Sequence, residues 1–292
     1  MSDKTKAIFV ILLASIISGA TTTVSKFALL KIPPFSFSFL RFLVASIVIL
    51  PFFLKSKVKI DRNFTSLLAL SVLPIVNVAF YVLGQKTTTA SIGQLLYSGT
   101  PILVSIFSYF ILKKNVAIKK WFFVLLGLVG VSFAILLPLI EKKSLYSGDL
   151  GGNALISIGV IFWSIYNVLS KKYQQRYSPI VITATFIFCA TAIFFFLSLP
   201  EFIQNHTWLN NLKPASILAV IYLAVGTTLL GYVLNQYAIK FGGPLLASLT
   251  FYLLPVFAYL SAFILLGERI TTGLIIGTIL VFISVALTTY SK

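Results

Sequence analysis

The sequence predicts an all-α integral membrane protein of ten transmembrane helices, arranged as two inverted five-helix repeats with both termini cytoplasmic. Three observations predict it. Of the 292 residues, 59% are hydrophobic and 10% charged, too few charges to cover a soluble domain of this length. The apolar residues come in runs of about 18 to 24, the length that crosses roughly 30 Å of hydrocarbon. The halves of the chain also repeat a short set of residues in the same order.

The spans fall at 7–30, 35–54, 64–84, 90–112, 120–140, 151–171, 179–199, 214–238, 243–266 and 271–290. Turn and charge signals separate them, among them Pro33-Pro34, Gly148-Asp149, Ser178-Pro179 and Gly242-Gly243-Pro244. The first span follows Lys4 and Lys6 like a signal peptide. Its apolar stretch runs on to Leu30 without a small-residue cleavage site, so an uncleaved helix is expected. Cys189 stands alone in an apolar run, which leaves no internal disulfide and no clue to the compartment.

The formal charge of +17 is explained by where the cations lie. With a cytoplasmic N-terminus, Lys4, Lys6, Lys55, Lys57, Lys59, Arg62, Lys113, Lys114, Lys119, Lys120, Lys171, Lys172, Arg176, Lys240 and Lys292 fall inside. Only Lys31, Lys86, Lys142, Lys143, Lys213 and Arg269 fall outside. This bias sets the orientation. No nucleic-acid motif accompanies the basic loops, so a lipid bilayer and a small molecule are the expected partners, and nucleic acid is not.

The repeat divides the chain into 1–144 and 145–292. Tyr81-Val82-Leu83-Gly84-Gln85 returns as Tyr232-Val233-Leu234-Asn235-Gln236, and Lys26 and Pro34 find Lys171 and Pro179 at a shift of 145. Pro101 and Lys114-Asn115 correspond to Pro255 and Glu268-Arg269 at a shift of 154. An odd number of spans per half inserts the second copy upside down, the arrangement of carriers with a site near the midplane.

Leu40-Arg41-Phe42, the Ser98–Pro101 stretch with its partner Pro255, and the Leu266-Gly267-Glu268-Arg269 turn give the chain a likeness. It resembles the EamA-type members of the drug/metabolite transporter superfamily over nearly its whole length. The first half departs from that pattern, with Lys113-Lys114-Asn115 where Gly267-Glu268-Arg269 stands in the second. The resemblance implies ten helices around a cavity lined by the first, third, fourth, sixth, eighth and ninth. It also implies export of amino acids or related metabolites.

Polar side chains within spans should face partner helices or a wet cavity, because lipid offers no hydrogen bonds. Helical spacing aligns Thr22 and Lys26 in the first span, Asn77, Tyr81 and Gln85 in the third, and Gln94 and Ser98 in the fourth. It aligns Trp163 with Asn167 in the sixth and Thr228, Tyr232 and Gln236 in the eighth, while Tyr252 stands on the ninth. These thirteen are the expected substrate-binding residues; single hydroxyls among them also serve as packing contacts. Pro101 and Pro255 each free a carbonyl in mid-helix, for bending or for coordination. Gly273 and Gly277 form a small face on the last helix for close contact, within a monomer or a homodimer.

Lys26 and Arg41 are the only charges well inside spans, and they either snorkel or draw a carboxylate or phosphate toward the cavity. None of Asp3, Asp61, Glu141, Asp149, Glu201 and Glu268 lies mid-span, and His206 is in an outer loop. Exchange or facilitated diffusion is therefore expected in place of carboxylate-driven proton antiport. No nucleophile with a base, no metal-ligand set and no phosphate loop is present, so catalysis, metals and cofactors are not expected. Two alternatives stay open: a multidrug exporter, and a membrane scaffold or sensor that does not transport.

Overall fold

A computed structural model describes residues 2–56, 58, 61–141, 149–204, 207–210, 212–266 and 272–290. Among these residues every regular element is helical. In chain order they are α1 (Asp3–Ser18), α2 (Thr21–Leu29), α3 (Pro34–Lys55), α4 (Arg62–Thr87), α5 (Ala90–Tyr97), α6 (Thr100–Leu112) and α7 (Ile118–Glu141). Then come α8 (Leu150–Tyr173), α9 (Pro179–Gln204), the short α10 (Thr207–Asn210), α11 (Pro214–Tyr222), a π-helix (Leu223–Gly231), α12 (Tyr232–Ser248), α13 (Thr250–Leu266) and α14 (Thr272–Tyr290). Among the described residues, seven stretches are long and apolar enough to cross a membrane, and two shorter apolar helices accompany them. The Gly267-Glu268-Arg269 turn and His206 lie outside the described residues.

Helix starts follow the capping residues. The Asp61 carboxylate accepts from the Asn63 and Phe64 amides at the head of α4, and Asp149 accepts from Gly152 at the head of α8. Prolines open α3, α9 and α11, where a missing N–H costs nothing.

Four of the expected spans are interrupted: the first, the fourth, the eighth and, at Leu249, the ninth. The first breaks between α1 and α2, where Gly19 lies so close to α13 that an added Cβ would stand 2.9 Å from the Phe257 Cβ. The fourth breaks at Ser98-Gly99. Pro101 has no amide for the Tyr97 carbonyl, and the Thr100 hydroxyl takes that carbonyl at 2.6 Å. The eighth contains the π-helix, a rare form frequent at functional sites.

The same break recurs in the second half, in a register the prolines do not reveal. Ser98 and Thr100 bond back to Leu95 and Tyr97, and Ser248 and Thr250 bond back to Leu245 and Ala247. Gly99 donates to the Leu96 carbonyl as Leu249 donates to that of Leu246. This match lies at a shift of 150, one helical turn from the expected 154. Matching Pro101 to Pro255 misleads, because the hydroxyls flanking the break set the local geometry.

Helix neighbours come in matched pairs. α4 packs on α8 and α1 on α12; α3 packs on α9, and α7 on α14. Gly84 and Gly152 allow the close approach of α4 and α8, and an added Cβ on Gly84 would meet the Gly152 carbonyl at 2.5 Å. The Gly273 face of α14 is spent inside the chain, on Phe133 and Leu137 of α7. Between α3 and α9, Phe42 stacks on Phe194 with ring centres 5.6 Å apart and meets Phe186 edge-on.

Candidate functional site

Between the interrupted helices lies a cavity of about 140 Å³, the order of volume that accepts a benzene-sized molecule. Ala14, Ser18, Thr21 and Thr22 reach it from the α1–α2 break. Asn77, Val78 and Tyr81 come from α4, Gln94 and Tyr97 from α5, and Trp163 from α8. The π-helix and α12 add Thr227, Gly231, Tyr232 and Asn235; α13 adds Thr250, Phe251, Leu254 and Pro255. One residue comes from α3: Arg41.

The walls are largely aromatic. The Trp163 ring lies 5.5 Å from Tyr232 and 6.3 Å from Phe251, while Tyr97 stacks on Phe251 at 5.4 Å and meets Tyr81 edge-on at 5.8 Å. Polar groups are set among them. Asn77 donates to the Tyr97 hydroxyl at 2.6 Å and to the Gly159 carbonyl at 2.9 Å, which fixes its amide with the oxygen free to accept. Gln94 donates to the Thr22 hydroxyl at 2.7 Å. The Trp163 indole N–H and the Tyr81 hydroxyl are buried and unpartnered.

Six of the thirteen expected residues line this space: Thr22, Asn77, Tyr81, Gln94, Trp163 and Tyr232. The other seven are engaged or buried elsewhere. Lys26 donates to the carbonyls of Gln85 and Thr88 at the end of α4. A cation is well placed against the last carbonyls of a helix, so its charge serves packing. Lys171 does the same to Ile239 and Lys240 on α12, both at 3.0 Å.

Gln85 is buried behind the cavity beside Gly93, and its amide has no partner. Gln236 points to the other side of α12, donating to the Tyr166 hydroxyl and accepting from Gln174. Asn167 donates to the Trp163 carbonyl and accepts from Asn235 at 2.9 Å. Ser98 closes on the Leu95 carbonyl, and Tyr252 donates across to the Val124 carbonyl of α7 at 2.8 Å. Thr228 is buried away from the cavity, with Thr227 on the wall in its place. The wider i→i+5 turn of the π-helix shifts the phase of the stripe, and a uniform helical spacing cannot anticipate that.

Arg41, Tyr97, Asn235 and Pro255 join the site although they were not among the thirteen. Sequence spacing puts Asn235 and Gln236 on one broad face, and only the packing of α8 against α12 decides between them. For Arg41 the available signal is its isolation as a charge within a span.

The EamA-like transporter family matches this chain over residues 5–136 and again over residues 150–290. Among similar proteins are the uncharacterised transporter YyaM of Bacillus subtilis (strain 168), 28% identical over 95% of this chain and 92% of the relative. Another is an uncharacterised transporter of Archaeoglobus fulgidus, 26% identical over 90% of each chain. A crystal structure of a protein 19% identical in sequence superposes with a TM-score of 0.76 over 99% of each chain, a likeness of fold. With two matched segments covering nearly the whole sequence, the chain belongs to the EamA-like transporter family and is a multi-pass membrane transporter of the cell membrane.

Proposed function

We propose that the protein exports or exchanges a small polar metabolite, an amino acid, by alternating access. The carrying observation is the midchain cavity, walled by aromatic rings and edged by the free groups of Asn77, Tyr81 and Trp163. Flat apolar walls with a few polar anchors suit a ligand of mixed character. Thr22, Gln94 and Tyr232 complete the proposed binding set.

In this reading the halves 1–144 and 145–292 are inverted five-helix repeats that rock about the cavity. Support comes from the paired helix contacts, from the recurrent break at Ser98 and Ser248, and from the family's matching once in each half. The lysine-rich loops support a cytoplasmic placement of both termini. The relatives' names as transporters favour transport over catalysis or scaffolding. No Asp or Glu is among the described residues that line the cavity, which supports exchange or facilitated movement over carboxylate-coupled proton antiport.

Counterflow of labelled amino acids into proteoliposomes tests the reading. Uptake driven by an internal pool of the same compound is expected. Its absence across the amino acids removes the proposal, and uphill uptake driven by a pH gradient alone removes the coupling part of it.

A further inference from the structure

The cavity holds a charge that no carboxylate among the described residues balances. Arg41 is 3% exposed, and its guanidinium sits over the Phe37 and Phe42 rings at 5.8 and 5.1 Å. Its one hydrogen bond runs from Nη2 to the Tyr232 hydroxyl at 3.3 Å, while Nε and Nη1 have no partner. The described ion pairs of the chain belong to Asp3 and Asp61, and Glu201 is occupied at the head of α3 with Phe35 and Ser36. Among the described residues that line the cavity, Arg41 alone is charged. A buried cation without a counter-ion is costly, and cation–π contact recovers only part of that cost.

We propose that Arg41 is the anion-binding residue of the cavity and that the cargo is a monocarboxylate, anchored between the Arg41 guanidinium and the Tyr232 hydroxyl. This rests on the transport reading above and names its substrate class. Tyr232 accepts from Arg41, so its own O–H remains to be donated to the same carboxylate. A guanidinium presents two parallel donors to a carboxylate, a geometry an ammonium cannot match. The lining also carries acceptors. The bonds made by the Asn77 amide nitrogen leave its oxygen to accept, and Pro255 supplies no N–H to the Phe251 carbonyl. These neutral oxygens suit the ammonium of a zwitterion without requiring it. A single cation leaves a dianion half-compensated, so phosphate monoesters are excluded along with cationic drugs.

The test uses the purified full-length protein in detergent near neutral pH, following tryptophan emission during titration with three probes of similar bulk. These are 3-phenylpropionate (a monoanion), phenylalaninamide (a cation) and phenyl phosphate (largely a dianion). The carboxylate is expected to bind at least about tenfold more tightly than either of the others, the size of one charge-assisted pairing. Arg41→Gln removes that preference and Arg41→Lys keeps part of it, while Trp163→Phe silences the emission change. Equal binding of the amide, a preference that survives in Arg41→Gln, or no binding of the carboxylate up to about 10 mM overturns the proposal. Since the wild-type ranking is itself a test, a misfolded variant does not rescue the idea. Counterflow of a cargo that carries no carboxylate would keep the transporter reading and sink this one; carboxylate binding without flux would do the reverse.

Discussion

The hydroxyls of Ser46 on α3 and Thr191 on α9 lie 2.6 Å apart, and their positions differ by the same 145 residues that separate Lys26 from Lys171. In the two-repeat reading proposed above, a residue that touches its own counterpart lies where the halves meet face to face. The Lys26 and Lys171 bonds show the same relation at a distance: each ammonium takes carbonyls at the corresponding end of α4 or α12.

The paired lysines are expected to act on stability and not on selectivity. Lys26→Met strands the carbonyls of Gln85 and Thr88, and an unmade buried hydrogen bond costs about 1–3 kcal/mol. A melting temperature lowered by several degrees is expected, with the ranking of transported compounds unchanged. A changed ranking would return Lys26 to the binding site.

Gln85→Leu should be tolerated. The Gln85 amide is buried without partners, so an apolar side chain of similar size removes an unsatisfied group and loses no bond. Thermal stability equal to or above that of the wild type, with transport retained, is the expected result. Loss of flux with intact folding would show that the amide meets cargo in another state of the cycle.

Asn167 and Asn235 form a buried amide pair between α8 and α12. Truncating either to alanine is expected to cost about 1–3 kcal/mol, and the double variant less than the sum. A double-mutant cycle on thermal unfolding reads the coupling, and strict additivity would deny the pair.

Gly84→Ala tests the close approach of α4 and α8. The added methyl meets the Gly152 carbonyl at 2.5 Å and the Ile156 side chain at 2.7 Å, and backbone cannot swing aside. Overpacking of this kind costs about 1–3 kcal/mol. Less folded protein in the membrane and a lowered melting temperature are expected.

At the loop end of the bundle, the Phe64 amide and the Arg176 guanidinium hold the Asp61 carboxyl below its ordinary value of 3.8. A depressed acid contributes stability above its unfolded pKa and loses it as pH falls through the folded one. Acid titration of the melting temperature should therefore fall more steeply below about pH 4 in wild type than in Asp61→Asn. Parallel curves would show that the pair contributes nothing.

The membrane class was legible because hydrocarbon thickness leaves its mark directly on apolar run length, and Asn77, Tyr81 and Gln94 because α4 and α5 keep a regular 3.6-residue period. Thr228 lies off the cavity wall because a π-helix changes that period without any sign in local composition, and Gln236 because the packing of α8 against α12 puts Asn235 on the wall in its place. Lys26 and Arg41 looked alike as lone charges within spans. What separates them is which acceptors come within reach, and that depends on contacts between helices far apart in the chain.

The shift that lays Lys26 over Lys171 lays Arg41 over Phe186, an edge-on neighbour of Phe42 in the packed core. In the two-repeat reading proposed above the frame is doubled, while among the described residues the charge on the cavity wall is single. Cargo entering such a chamber has a compulsory heading: its negative end is told apart from its tail by one half of the molecule. That heading stays defined relative to the first half, whichever side of the membrane the chamber faces.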